Sequence, residues 1–162
     1  MAAGNTYEAI ATNTLGSTTS SVTFSSIPST YTDLVIVVAG SLTTGVDNVC
    51  MRFNSDSGSN YSTTYILGNG STATSARNSN LTNTGRCVMG TASSMVLYSL
   101  QNYSNTTTYK TVLGRGGETG YGVDARVSLW RNTAAITSIV LTAVSSTLTA
   151  GSTFTLYGIK AA

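Results

Sequence analysis

The chain has no histidine and only six acidic residues, so the side chain most often used to move protons near neutral pH is missing and its substitutes are few. Most general acid–base and nucleophilic hydrolase mechanisms fall with it, because they need an imidazole to take up and return the proton. Charge is scarce as well: Asp, Glu, Lys and Arg are 9% of the sequence, against about 25% in an ordinary soluble domain. The net charge of +2 forms no basic stripe that would neutralise a run of phosphates, so no nucleic-acid partner is expected. The longest apolar stretch, LVIVVAG at 34–40, is too short to cross a bilayer, and the opening MAAGNTYEAIATNTLGS lacks a basic segment followed by an apolar run. No membrane role is expected, and folding in a cytoplasm is the simplest inference. The two cysteines, Cys50 and Cys87, show no CxxC spacing and are expected as buried free thiols rather than a disulfide. With 162 residues the chain is long enough to bury its own core, so it is expected to be one domain, 1–162, without cofactor or metal.

What is abundant points one way. Ser and Thr fill about a third of the positions, and 16 glycines accompany them. Thr, together with Val, Ile and Tyr, suits the pleated surface of a strand and disfavours helix, which makes this an all-β composition. The N-x-S/T sequons at Asn60, Asn69, Asn80, Asn102 and Asn105 follow from that composition by chance.

Alternation of apolar and polar residues between clusters of Gly, Asn, Ser and Asp predicts about ten short strands and no helix. YEAIAT (7–12) and SVTFSSI (21–27) alternate as half-buried strands do, and Pro28 then interrupts the ladder. DLVIVVAGSL (33–42) is apolar on both faces and reads as a central strand covered on both sides. VCMRF (49–53) sends Val49, Met51 and Phe53 inward. NSDSGSN (54–60) predicts a hairpin into YSTTYIL (61–67), and GNGSTATSARNSNLTNTG (68–85) a long exposed loop. After RCVMG (86–90), strands are expected at 94–100, 108–114, 121–130, 136–144 and 152–160. Within 121–130, Val123, Ala125, Val127 and Leu129 share one face, and Asp124, Arg126, Ser128 and Trp130 the other. The fold class is an antiparallel β-sandwich, jelly-roll-like.

Few segments suggest chemistry. Asn54, Asp56 and Gly58 resemble the start of a calcium loop, but the glutamate that would close it is missing, with Tyr65 near its place, and a tight turn is the better reading. GRGGETGYG (114–122) follows a strand but has neither GK[ST] nor a helix behind it, so it reads as a flexible connection between strands. Its alternative is a contact loop presenting Arg115, Glu118 and Tyr121. Trp130 and Arg131 complete the candidate contact residues, and the tyrosines at 61, 65, 98, 103, 109 and 121 are either further anchors or core. Any two of Glu8, Asp33, Asp47, Asp56, Glu118 and Asp124 meeting in space would allow glycoside cleavage, although their spacing favours no pair. No enzyme activity is expected.

The phrases SVTFSSIPSTYTDLVIV, RFNSDSGSNYS, NYSNTTTYKTVLGR, LWRNTAAITSI and GSTFTLYGIKAA resemble a family of small virion structural proteins of tailed bacteriophages of aquatic bacteria, and the resemblance extends over nearly the whole chain. The resemblance implies a β-sandwich on the outer surface of the particle, made in the bacterial host cytoplasm. It favours a capsid decoration or cement protein that binds the phage major capsid protein as a homo-oligomer, most simply a trimer. A tail- or fibre-associated adhesin binding host surface glycans is the alternative. The final segment, GSTFTLYGIKAA, is then expected to close a sheet or lie at a subunit contact.

Overall fold

Period-two alternation resolves into twelve strands, with no helix among the described residues, in the computed structural model of the protein, which describes residues 6–160. In chain order they are β1 (Tyr7–Thr14), β2 (Ser21–Phe24), β3 (Asp33–Gly40), β4 (Asp47–Phe53), β5 (Tyr61–Gly68), β6 (Ala73–Leu81), β7 (Thr84–Met89), β8 (Ser94–Gln101), β9 (Lys110–Glu118), β10 (Gly122–Trp130), β11 (Ile139–Ala143) and β12 (Thr153–Ile159). Every pairing is antiparallel. One sheet has eight strands in the order β1-β12-β3-β8-β9-β10-β5-β6; the other has four, β2-β11-β4-β7. The two sheets face one another, as expected of a β-sandwich; the jelly-roll wiring expected with it is not shown by this unequal division.

The core lies between the sheets and follows the alternation. Leu34, Ile36 and Val38 of β3, Val49, Met51 and Phe53 of β4, and Phe154 and Leu156 of β12 are all fully buried in one cluster. At one end Trp130 packs on Phe53 and stacks with Tyr61, ring centroids 5.4 and 6.3 Å away. Tyr98 crosses the core to donate its hydroxyl to the Val49 carbonyl at 2.6 Å, tying the large sheet to the small one. Burial of the aromatic bodies is favourable because each hydroxyl keeps a partner.

Several segments depart from the sequence expectation, each for a physical reason. NSDSGSN is a turn but not a hairpin: β4 and β5 belong to different sheets, and the segment carries the chain from one to the other. Asn54 and Ser55 take positive φ there (51° and 59°), and the Asn54 side chain holds the crossing by donating to Ala135 O and accepting from Thr137 N. The loop expected over 68–85 contains β6, a strand exposed along almost its whole length. It has no apolar period because neither face is covered; the β5 ladder holds it, and the Asn69 side chain closes the turn by accepting from Ser71 N and Thr72 N. The terminal strand β12 is interior, flanked by β1 and β3, so it does not form an edge; Ala161 and Ala162 lie outside the described residues.

GRGGE is strand, not flexible connection, and its glycines explain how the sheets meet. A Cβ on Gly114 would lie 2.6 Å from Cys87 Sγ, and one on Gly116 would lie 2.9 Å from both Cys87 Cβ and Val88 O. Bare backbone on the inner face of β9 therefore lets β7 settle directly onto it, a close approach that strand glycines permit. Gly68, by contrast, has open space around its missing Cβ. We expect Gly114→Ala and Gly116→Ala each to lower stability by about 1–3 kcal/mol through overpacking, with Gly68→Ala within about 0.5 kcal/mol of the parent, measured by urea unfolding.

Cys50 and Cys87 are free and buried, as expected. Burial pushes both thiols up, and for Cys87 the neighbouring Asp124 adds to the effect. Burial likewise raises the Tyr61 phenol to about 12 and that of Tyr98 well above its ordinary value. These groups stay protonated in the fold after the unfolded chain begins to lose their protons, so their stabilisation is complete below about pH 9 and is lost as pH rises beyond it. Urea midpoints should therefore be level up to about pH 9 and fall above it, and a thiol reagent should label neither cysteine until the protein unfolds.

Candidate functional site

Strand parity separates two unlike surfaces on the large sheet. On β10, Asp124, Arg126, Ser128 and Trp130 point into the sandwich and are buried, while Val123, Ala125, Val127 and Leu129 point away from it. The polar row faces inward because the free edge of β7 lies above it. Asp124 accepts from Val88 N at 3.1 Å and is ion-paired with Arg126, which also donates to Asn48 Oδ1 at 3.0 Å and lies over the Tyr65 ring, 4.5 Å from its centroid. A buried backbone donor at a strand edge needs an acceptor, and the carboxylate supplies it; the guanidinium then neutralises the carboxylate.

The apolar row is consequently left on the outside, and its neighbours match it. Register places Met95 and Leu97 of β8 level with Gly117 and Arg115 of β9, and these level with Val123 and Ala125 of β10. The next strand brings Ile66 beside Ala125. Exposure is high for these side chains: Val123 67%, Ile66 64%, Met95 62%, Val127 51% and Leu113 44%. The surface is not flat. Leu97, Leu113, Val127 and Ile66 rim a hollow of about 540 Å³ around Ala125, and Met95, Leu97 and Val123 rim a second of about 490 Å³ around Gly117. Arg115 borders both. No ion pair or hydrogen bond involves its side chain among the described residues.

The five contact candidates from the sequence do not converge. Arg115 is exposed at the centre of this outward face, and Tyr121 is exposed at the turn between β9 and β10. Glu118, 7% exposed, points inward against Gly90 and is no contact-loop residue, because the expected loop is a strand of fixed parity. Trp130, 1% exposed, is core rather than interface anchor. Its indole N–H donates to Asp56 Oδ2 at 2.7 Å. Arg131 is engaged within the chain, donating to Ser59 O at 2.6 Å and Asn80 Oδ1 at 3.0 Å, so it fastens the 54–60 turn to β6. Of the tyrosines, 61, 98 and 103 are core, whereas Tyr109 is exposed.

Sequence reading missed Met95, Leu97, Leu113, Val123, Val127 and Ile66 as a surface. The signal was available in β8, SMVLYSLQ, where Met95 and Leu97 make the second alternate set apolar at its start while the described residues form no third layer to cover it.

The six carboxylates are dispersed, and five of them have partners. Glu8 pairs with Lys160 at the surface, Asp33 accepts from Asn102 N, and Asp47 accepts from Ser145 N and Ser146 N. Asp56 accepts from Trp130, Asn60 and Gly58, Asp124 is paired with Arg126, and Glu118 is buried. Among the described residues no group of three or more His, Cys, Asp or Glu side chains is placed to hold a metal ion. No protein-family model matches the chain, and a search of curated proteins finds no match.

Burial alone would raise the Asp56 carboxyl, but the bonds from Trp130, Asn60 and Gly58 outweigh it and hold it below its ordinary value. Its contribution is therefore present above the unfolded value of 3.8 and lost as pH falls through the lower folded value. In Asp56→Ala the buried Trp130 N–H loses its acceptor, and we expect a loss of about 1–3 kcal/mol at neutral pH that narrows below pH 4, followed by urea unfolding across pH.

Proposed function

We propose that this protein is a structural component of a phage particle that works by docking the outward face of its eight-stranded sheet, most simply as a capsid decoration protein on the head shell. The observation that carries the reading is the contiguous exposed apolar surface formed by Ile66, Met95, Leu113, Val123 and Val127. Monomeric soluble proteins rarely leave such a surface uncovered, and its presence marks an interaction site. Eight strands of about eight residues make a face roughly 34 by 25 Å, on the order of 850 Å², given the usual strand spacing and rise. Standard interfaces bury about 800 Å² per partner, so the whole face is of that size, and the apolar patch on the four adjacent strands β8, β9, β10 and β5 covers about half of it and forms its centre.

Two further observations favour a structural role. Five of the six carboxylates are engaged in turns, ion pairs and the sheet contact. The phrases that resemble phage virion proteins, such as RFNSDSGSNYS and LWRNTAAITSI, fall on the crossing turn and the aromatic end of the core, where they specify a scaffold.

A decoration protein acts by linkage. Binding only to the assembled shell, it stabilises that state by RT ln(1 + [L]/Kd) at each site, and modest contacts add across many copies. A homo-oligomer, a trimer in the simplest case, would raise that avidity. Particles made without the protein should burst at lower temperature or milder osmotic shock than complete ones, and copy number should be that of the shell lattice. Equal robustness, or a few copies per particle together with binding to host glycan, would replace this reading with that of a tail-associated adhesin.

A further inference from the structure

The outward face has one charge in its middle. Arg115 stands between the two hollows, with Leu97 level with it on one strand and Ala125 on the other, while Asp33 and Arg77 lie toward the margins. A guanidinium carries a positive charge. A purely apolar partner laid over it would strip its water and return nothing, which is strongly unfavourable for a buried charge. Whatever covers this face must therefore bring an acceptor, and a carboxylate matches the guanidinium fork best.

A second copy of the chain does not fit that requirement. Two-fold packing of face on face would set one Arg115 toward the other. The carboxylates of the described residues are mostly engaged: Glu8, Asp47, Asp56 and Asp124 have partners, Glu118 is buried against Gly90, and Asp33, half-exposed at the margin of the face, gives one oxygen to Asn102 N. An acid brought by another protein meets the requirement without displacing any of these contacts.

We infer that this face docks an extended segment of a different protein in which a carboxylate lies between two large apolar side chains. The carboxylate meets Arg115, and the apolar groups enter the two hollows, one at the Leu113–Val127 end of the first and one at Gly117 in the second, which lie two residues to either side of Arg115 along β9. Alternate residues of an extended chain are about 6.7 Å apart on one face, so the pattern is apolar-x-acid-x-apolar. The inference rests on reading this face as a docking surface and adds the chemistry of its partner.

The test uses the full chain with labelled methyl groups and two capped pentapeptides, LTETL and LTQTL. The glutamate peptide should shift the Met95, Leu97, Leu113, Val123 and Val127 methyls, and the glutamine peptide should bind about tenfold more weakly, the usual scale of a hydrogen bond to a charged group. Arg115→Gln, an exposed change that leaves the core untouched, should remove the preference, and Arg115→Lys should keep part of it. Equal binding of the two peptides, no shift of these methyls at millimolar peptide, or shifts that appear with protein concentration alone would each overturn the inference, the last by making a second copy the occupant. Shell protection that persists unchanged in Arg115→Gln would also overturn it while leaving shell binding intact. A carboxylate preference in a protein that does not protect shells would uphold it and remove the shell as the partner.

Discussion

Gly114 and Gly116 present bare backbone to β7, and the arrangement of both sheets depends on how closely that strand can approach. With the glycines in place, Cys87 packs where two β-carbons would otherwise be, and the edge of β7 comes near enough for Asp124 to take its Val88 N–H. Close approach thus creates a need for an acceptor that the same large sheet satisfies. Asp124 in turn requires Arg126, and Arg126 reaches Asn48 on the small sheet, so the contact is fastened from both sides. A larger residue at either glycine would lift β7 away and leave a buried donor, a carboxylate and a guanidinium all poorly matched.

This contact also decides which surface the protein shows. Because β10 must turn its polar row toward the β7 edge, period-two geometry sends Val123, Ala125, Val127 and Leu129 outward. The neighbouring strands follow through register, and the result is an apolar face with Arg115 in its middle. The buried ion pair and the exposed docking face are thus two consequences of a single choice of parity. A structural constraint inside the sandwich provides the means of association outside it.

Scarcity of charge has a parallel effect at the turns. With few ionic groups available, the chain holds its connections by short polar side chains: Asn54, Asn69 and Asn105 each accept two or more bonds from backbone and hydroxyl groups nearby. Asp56 does the same for the crossing turn and reaches the indole of Trp130. The Asn-, Ser- and Thr-rich turns that lack any apolar period are therefore ordered through local hydrogen bonds, and the one closed by Asn69 returns the chain so that β6 can pair with β5.

The sequence by itself determined the all-β class, the absence of helix among the described residues, the inward residues of β4 and the free thiols, since each follows from local alternation and composition. It also grouped the two rows of β10, though not which of them was inside. That was decided by what lies across from β10, a strand edge whose Val88 N–H takes an acceptor from β10 rather than an apolar layer, and no local pattern reports what lies across the core. Trp130 and Glu118 were misplaced as contacts for the same reason: an aromatic or a carboxylate fits either surface, and only the opposing sheet selects one. Arg115 shared the motif of Glu118 and emerged alone on the outer face because a strand alternates its side chains, where a loop would have gathered them.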